Sequence, residues 1–529
     1  MSFQWTKKYK YKFLFPSLVI FIIIFSFFFP LMNSFKGLVL HDESYIIDGA
    51  YRFSLGQVPY RDFIYVTTPL TAMMHGVVFK IFGYQYIFSK IFISFQNVVF
   101  TIFLFILLLR FLPILPSFLA TLAGSVWFYA IISAPWYDMD AWFFSLFAIF
   151  AFLYFYYLKK ENYFWLFLTG VFAALSLLSK QNIGGVSLVL GAFSIFLLPR
   201  GDIGKRLIAY IIGGSLILIL FLVYLNLHGA LQYFYDQAIK LAFLAKSEQK
   251  YLSIPFFGPV WQPHFIIIDL IILITCFSFL LCIIQYYRDK DKEALVHLLT
   301  IIWIGFIFEA GIFSQDGANI LWQLSFTGLI LGLFFKSFAK ELKNNKKTQK
   351  LYYFSIILLT IIIFFGGAAI SILRKPWEFG LKQWGKQNYK LDLDGFNDFS
   401  LDPFWGKNIN QLYSFIKREI PQSAAYQIFP NITLIYFATR RIPPSPVVQF
   451  YADYVISTHD QQRIIDSWQK NKLKWFILER YSQTFERHTS DYQLRQLPSI
   501  KSYIESNFHP YKDLDGFIVL KRINDSTKF

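Results

Sequence analysis

The side chains with chemical potential gather in a few polar breaks of an otherwise apolar chain. The first break is His41-Asp42-Glu43-Ser44-Tyr45, followed by Asp48, Arg52, Pro59-Tyr60-Arg61-Asp62-Phe63 and Thr68-Pro69-Leu70. The second is Pro135-Trp136-Tyr137-Asp138-Met139-Asp140. The third is Ser179-Lys180-Gln181-Asn182-Ile183-Gly184-Gly185, and the fourth is Glu309 with Gln315-Asp316-Gly317-Ala318-Asn319. A carboxylate can take the proton of an attacking hydroxyl. A lysine or arginine can neutralise a departing phosphate. Acids and cations at one depth therefore suit transfer from a phosphate-linked donor. Asp42, Glu43, Asp138 and Asp140 are the candidate acids, with Asp62 and Glu309 as further ones. Lys180, Arg61 and Arg52 are candidate cations.

Each candidate also has a plainer reading. Asp42 can cap the helix that follows it, with Glu43 favouring the helix dipole. A cap would hold the carboxylate rigid, so this reading is compatible with a catalytic one. Asp138 and Asp140 can end a short loop in water. A carboxylate carried deeper costs up to roughly 2.5–3.5 kcal/mol on insertion scales. Lys180 can snorkel to an interface. Glu309 lies about a turn inside an apolar run and calls for a cation such as Lys180, Arg52 or Arg61.

The elements that position these breaks are membrane spans. The chain has 529 residues, 56% hydrophobic and 16% charged, with mean hydropathy +0.45. Soluble domains carry nearer a quarter charged residues. Apolar runs of about 20 residues, enough to cross a hydrocarbon core, recur up to residue 372. About eleven spans are expected: 13–33, 87–109, 114–133, 140–158, 163–179, 183–198, 207–227, 264–287, 294–313, 318–336 and 351–372. The fifth and sixth are short enough for a tight helical hairpin. The basic N-terminus precedes a run without a small-residue cleavage site, which reads as an uncleaved first span.

Loop cations set the expected orientation. With the N-terminus cytoplasmic, Lys7, Lys8, Lys10, Lys12, Arg110, Lys159, Lys160, Arg200, Lys205, Arg206, Arg288, Lys290, Lys292 and the 336–350 lysines all fall inside. The short connections near 134–139 and 314–317 hold none. The first loop (34–86) and the segment after 372 then lie outside. The expected division is a transmembrane module at 1–372 and an extracytoplasmic α/β domain at 373–529. In that domain Ala424–Phe429, Lys474–Glu479 and Gly516–Lys521 read as strands. Asn408–Glu419, Asp460–Lys470 and Ser499–Ser506 read as helices.

Several classes are disfavoured. The net charge of +17 sits between apolar runs rather than in a basic patch, which argues against nucleic acid. Cys276 and Cys282 lie in one apolar run and imply no disulfide framework. There is no P-loop. The eight histidines are scattered and imply no zinc site; no cofactor is firmly implied. The acids can take a divalent cation, but their spacing does not require one. A transporter or flippase is the main alternative, yet no repeat or pair of broken helices is legible. Asn431-Ile432-Thr433 and Asn524-Asp525-Ser526 match the N-glycosylation triplet, which matters only in a eukaryotic secretory setting. The Ile, Phe and Lys richness is that of an AT-rich bacterial genome and places the chain in an inner membrane.

One span, an outer loop with Asp42-Glu43, the segment Gly56 to Phe63 and Pro69-Leu70 resemble the GT-C membrane glycosyltransferases. The similar branch is the protein O-mannosyltransferase and aminoarabinose-transferase-like group, glycosyltransferase family 39 or 83. The turn Lys180-Gln181-Asn182-x-Gly184 and the stretch Tyr436-Phe437-Ala438-Thr439-Arg440-Arg441-x-Pro443-Pro444 are also similar to that group. The resemblance implies inverting transfer from a polyprenyl-phosphate sugar donor to a lipid, glycan or protein hydroxyl on the outer face. It implies Asp42 as the first-loop acid with Glu43 beside it, and Asp138 or Asp140 as the second. It implies Lys180 at the donor phosphate, with Arg61 and Arg440 as further candidates.

Overall fold

The computed structural model describes residues 14–35, 37–129, 133–158, 161–240, 263–312, 323–342, 346–373, 388–451, 458–482 and 489–523. Nine helices open the described chain: α1 (Leu14–Ser34), α2 (Leu40–Ser54), α3 (Leu70–Phe82), α4 (Tyr86–Leu108), α5 (Ile114–Trp127), α6 (Tyr137–Tyr157), α7 (Phe164–Ser179), α8 (Gln181–Leu197) and α9 (Ile203–Leu227). Helices Pro263–Asp289, Lys292–Ile312, Thr327–Glu341 and Lys346–Leu373 complete the apolar set. A helix thus stands in each of the eleven apolar stretches. Among the described residues, seven are long and apolar enough to cross a membrane: α1, α4, α6, α9, Pro263–Asp289, Lys292–Ile312 and Lys346–Leu373. A count of eleven crossings would need α5, α7, α8 and Thr327–Glu341 as well, each only about 20–26 Å long at 1.5 Å per residue.

The chain divides into two compact units. Unit 1 holds 1–34, 90–220 and 251–381; unit 2 holds 35–89, 221–250 and 382–529. The expected boundary at 372 follows a change in composition. The units cut differently, because the first loop folds with the C-terminal segment.

In unit 1, helices approach closely wherever side chains are small, as packing between apolar helices requires. A Cβ on Gly184 would lie 2.0 Å from the Leu177 backbone nitrogen. The first turn of α8 therefore presses on the last turn of α7. The two helices are joined by one residue, Lys180, in an extended conformation (φ −149°, ψ 125°). Gly124 and Gly328 face each other in the same way between α5 and Thr327–Glu341.

Unit 2 is built on a four-stranded sheet, β3 (Tyr426–Phe429), β4 (Trp475–Glu479), β5 (Phe508–Asp513) and β6 (Phe517–Arg522), in the order β3-β4-β6-β5. A two-stranded pair, β1 (Tyr389–Lys390) and β2 (Ser400–Leu401), precedes it. β3 runs parallel to β4 with Tyr426 opposite Trp475, and β6 runs antiparallel to it with Lys521 opposite Trp475. The period of two sends alternate residues to opposite faces. Tyr426, Ile428, Trp475, Ile477, Phe517 and Val519 join helix Pro403–Glu419 on one face. Phe429, Phe476, Phe508 and Leu520 join helices Thr458–Lys470 and Pro498–Asn507 on the other. The three expected strands and three expected helices are all present, within a few residues of their expected bounds. β5 is additional: Phe508-His-Pro-Tyr-Lys-Asp is an exposed edge strand, and its proline and charges protect such an edge.

The first core also contains Leu38, Leu40, Ile47, Ala50, Tyr51, Phe79 and Tyr86 from the first loop. On β4, Glu479 is buried, and its Oε1 accepts bonds from the backbone N–H groups of Asn431 and Ile432, both at 2.6 Å. Burial pushes its carboxyl up to about 8, against the opposing effect of those two donors. An acid whose folded value is raised stabilises the fold most at low pH. That contribution is lost as pH rises from the unfolded value, about 4.5, through about 8. Thermal unfolding of Glu479→Gln should therefore show a flatter fall in Tm between pH 5 and 8 than wild type.

Candidate functional site

The site residues fall into two groups, one in each unit. In unit 1, α6 begins after Pro135-Trp136, and Asp138 and Asp140 occupy its first turn, where the helix dipole favours acids. Both are buried. Asp138 pairs with the Lys180 ammonium at the α7–α8 junction, and Trp136 Nε1 donates to its Oδ2 at 3.3 Å. The Lys180 Nζ also lies 5.2 Å from the Tyr137 ring centroid, a cation–π distance. Lys180 is anchored by its main chain: its N–H donates to Ser176 O, and its carbonyl accepts from Gly184 N. Asp140 is held separately. Tyr129 donates to its Oδ1 at 2.5 Å and Gln96 Nε2 at 2.9 Å.

These contacts separate the roles of the two acids. Asp138 touches the Lys180 cation, whereas Asp140 accepts bonds from Gln96 of α4 and from Tyr129 just after α5. Asn182 donates to Ala310 O at 2.5 Å, tying the start of α8 to the end of helix Lys292–Ile312. Glu309, on that same helix end, is exposed. Gln315, Asp316 and Asn319 lie outside the described residues. Sequence reasoning missed Lys90, buried near the start of α4, whose Nζ donates to Ser133 O at 2.9 Å. Its signal was available: a lone lysine four residues into an apolar run.

In unit 2, helix α2 carries the first-loop acids. It starts at Leu40 with Val39 as its cap residue, so Asp42 sits in the first turn and is not the cap. Glu43 reaches back instead, its Oε1 accepting from Val39 N at 3.1 Å. The Tyr86 hydroxyl donates to Glu43 Oε2. Glu43 is thereby fully engaged and 1% exposed. Asp42 keeps 23% of its side chain exposed, with His41 Nε2 at 2.8 Å from its Oδ1. Of the two neighbouring acids, Asp42 is the one open to an incoming group.

The arginines differ as well. Arg52 is 1% exposed. Its Nε donates to Asp48 at 3.1 Å and its other nitrogens to the carbonyls of Ser445 (3.0 Å) and Val447 (3.3 Å). All three of its nitrogens thus meet acceptors within unit 2, where the sequence offers Arg52 as a candidate cation for a phosphate. Burial pushes the Asp48 carboxyl up to about 6, even beside this guanidinium. Arg61 is surface-exposed, chelates Asp62 at 2.8 Å and donates to His228 O at 2.9 Å. Its hydrogen bonds hold the Asp62 carboxyl below the usual range despite partial burial. Arg440, left-handed at φ 56°, donates to the carbonyls of Tyr84 and Phe437 and stacks on both rings. Gln237, from the segment after α9, also braces the loop. Its Oε1 accepts from Tyr65 N and its Nε2 donates to Tyr60 O.

Among the described residues, no three His, Cys, Asp or Glu side chains converge as a metal-binding group.

No protein-family model matches the chain, and no curated protein matches its sequence. Solved structures do match. The apo oligosaccharyltransferase of Archaeoglobus fulgidus is similar over 98% of this chain and 75% of its own, with TM-score 0.56 and 11% identity. The archaeal oligosaccharyltransferase AglB from the same organism, in complex with an inhibitory peptide and a dolichol-phosphate, is similar over 99% of this chain and 75% of its own, with TM-score 0.53 and 9% identity. ArnT from Cupriavidus metallidurans, bound to undecaprenyl phosphate, is similar over 97% of this chain and 98% of its own, with TM-score 0.56 and 13% identity. The chain has the GT-C fold of these membrane proteins.

The arginine assignment is open to a direct check. Arg52→Met leaves Asp48 buried without its cation, a change that costs about 3–5 kcal/mol. It should lower the Tm of detergent-solubilised protein sharply. A ligand role would instead weaken undecaprenyl phosphate binding at unchanged Tm.

Proposed function

We propose that the protein is a membrane glycosyltransferase. It moves a sugar from a polyprenyl-phosphate donor to a hydroxyl of a lipid, glycan or protein, with inversion at the anomeric carbon. The setting is a bacterial inner membrane, with the first loop and the C-terminal domain outside the cytoplasm. The GT-C fold supports the class, and the lipid phosphates held by ArnT and AglB support the donor type.

The observation that carries the reading is the contrast between Asp42 and Glu43. Two adjacent acids start one helix, and only Asp42 retains exposure beside its His41 partner. In the proposed step the acceptor hydroxyl gives its proton to Asp42 as its oxygen attacks the anomeric carbon. The bond from that carbon to the phosphate oxygen breaks, and the phosphate leaves with its electron pair. Lys180 is proposed separately as a contact to the donor phosphate, as a cation suits. Asp138 holds the ammonium protonated and oriented until a phosphate competes for it. Asp140, bonded to Tyr129 and Gln96, keeps the first turn of α6 in place.

Two measurements test this. Asp42→Asn should reduce transfer from a polyprenyl-phosphate sugar by about 10²–10⁴-fold while leaving Tm and retained lipid unchanged. Full activity in that variant removes the base assignment. The double variant Lys180→Met with Asp138→Asn avoids an orphaned buried charge. Mass spectrometry should find it stripped of co-purifying undecaprenyl phosphate that wild type retains. Transport in sealed vesicles with no covalent product would overturn the enzyme reading altogether.

A further inference from the structure

Asp42 contributes no cap bond of its own, yet the turn that carries it is held from both sides. Gln449 Nε2 donates to the carbonyl of His41, the residue before Asp42. On the other side, Leu434 N donates to Ser44 Oγ at 3.3 Å, and Thr433 Oγ1 to Ser44 O at 3.4 Å. These holds converge on one short stretch of the C-terminal segment. Phe450 N, next to Gln449, donates to Pro430 O at 3.0 Å. Asn431 and Ile432 donate to the single oxygen Oε1 of Glu479.

Glu479 lies on β4, the central strand beside β3 and β6. It is 2% exposed, and no salt bridge to it is found among the described residues. A buried acid without a cation is expensive to keep, so its presence needs a reason. Two 2.6 Å bonds to consecutive amides make it the fixed point of the 430–434 turn. That turn in turn grips Ser44.

We propose that Glu479 and Gln449 are positioning residues for the Asp42 base. They form a clamp in the C-terminal segment that fixes the first turn of α2. This rests on the reading of Asp42 given above. The clamp gives the C-terminal segment a direct part in the reaction, through the orientation of a carboxylate it does not itself contain. Small misplacements of a reacting group carry large rate penalties, so a rigid sheet is a suitable anchor. Burial favours the protonated form of Glu479. Its neutral isostere glutamine should therefore preserve the clamp, since an amide oxygen can still accept both amides.

The test uses the full chain in detergent and three variants, Glu479→Leu, Glu479→Gln and Gln449→Leu. Hydrogen exchange of the peptide covering 38–48 should quicken in Glu479→Leu and Gln449→Leu, and stay at the wild-type rate in Glu479→Gln. Transfer should lose about 10–100-fold in kcat in the two leucine variants, with donor KM and retained undecaprenyl phosphate unchanged. If Glu479→Leu fails to fold, Gln449→Leu removes one bond from the other arm and carries the same expectation. Wild-type exchange and kcat in a folded leucine variant overturn the proposal. So does equal loss in Glu479→Gln, or loss confined to KM. Asp42→Asn separates the two readings. If it stays active while exchange at 38–48 still responds to Glu479→Leu, the base assignment fails but the clamp stands.

Discussion

The buried pair between Arg52 and Asp48 is the constraint on which unit 2 depends. Helix α2 is short, polar and almost wholly buried. Such a helix is stable only if its charged groups find partners. Arg52 meets this need by reaching three acceptors at once: Asp48 on its own helix and the carbonyls of Ser445 and Val447, nearly four hundred residues later. Planar guanidinium geometry suits this division of donors. With that anchor, the apolar side of α2 joins the sheet core through Leu40, Ile47, Ala50 and Tyr51. The first loop is thus no mobile connection between spans. It is one layer of an α/β domain.

Unit 1 solves a different problem. It must hold ionisable groups at the ends of apolar helices without leaving them unpaired. Its answer is a helical hairpin with a single linking residue. Gly184 allows α8 to press on α7, and the tight turn leaves Lys180 extended between two helix ends. Its ammonium then meets Asp138 across α6. The two acids of α6 are two residues apart, so they project to different sides of the helix. One meets the cation; the other meets a tyrosine and an amide. A glycine, a one-residue turn and a spacing of two together set one acid against Lys180 and the other against Tyr129 and Gln96.

Much of the architecture was legible because hydrophobic length is a local property. Apolar runs marked each membrane helix, and short apolar runs in a mixed segment marked β3, β4 and β6. The edge strand β5 escaped because its proline and charges mimic a loop. The helix α3 escaped because its thirteen residues, mostly apolar but broken by Thr71, His75 and Lys80, are too few to read as a span and sit inside a segment of polar character. The candidate acids were legible too, since carboxylates at span boundaries stand out by type. What each one does was not. Asp42 reads as a cap in sequence, but Val39 holds that place and Glu43 supplies the bond to its amide. Arg52 reads as a free cation, but it is engaged by Asp48 and by the carbonyls of Ser445 and Val447.

Composition and periodicity alone therefore determined that this chain is a polytopic helical membrane protein with a C-terminal α/β segment, and which of its side chains could carry chemistry. Those are statements about runs of neighbours, which a linear reading can measure. Tertiary structure decided that the first loop belongs to the C-terminal domain's core. It decided that Lys180 pairs with Asp138 and that Asp42, not Glu43, stays open. Each of those outcomes depends on burial and on hydrogen-bond partners tens to hundreds of residues away, and burial exists only once the chain has closed on itself.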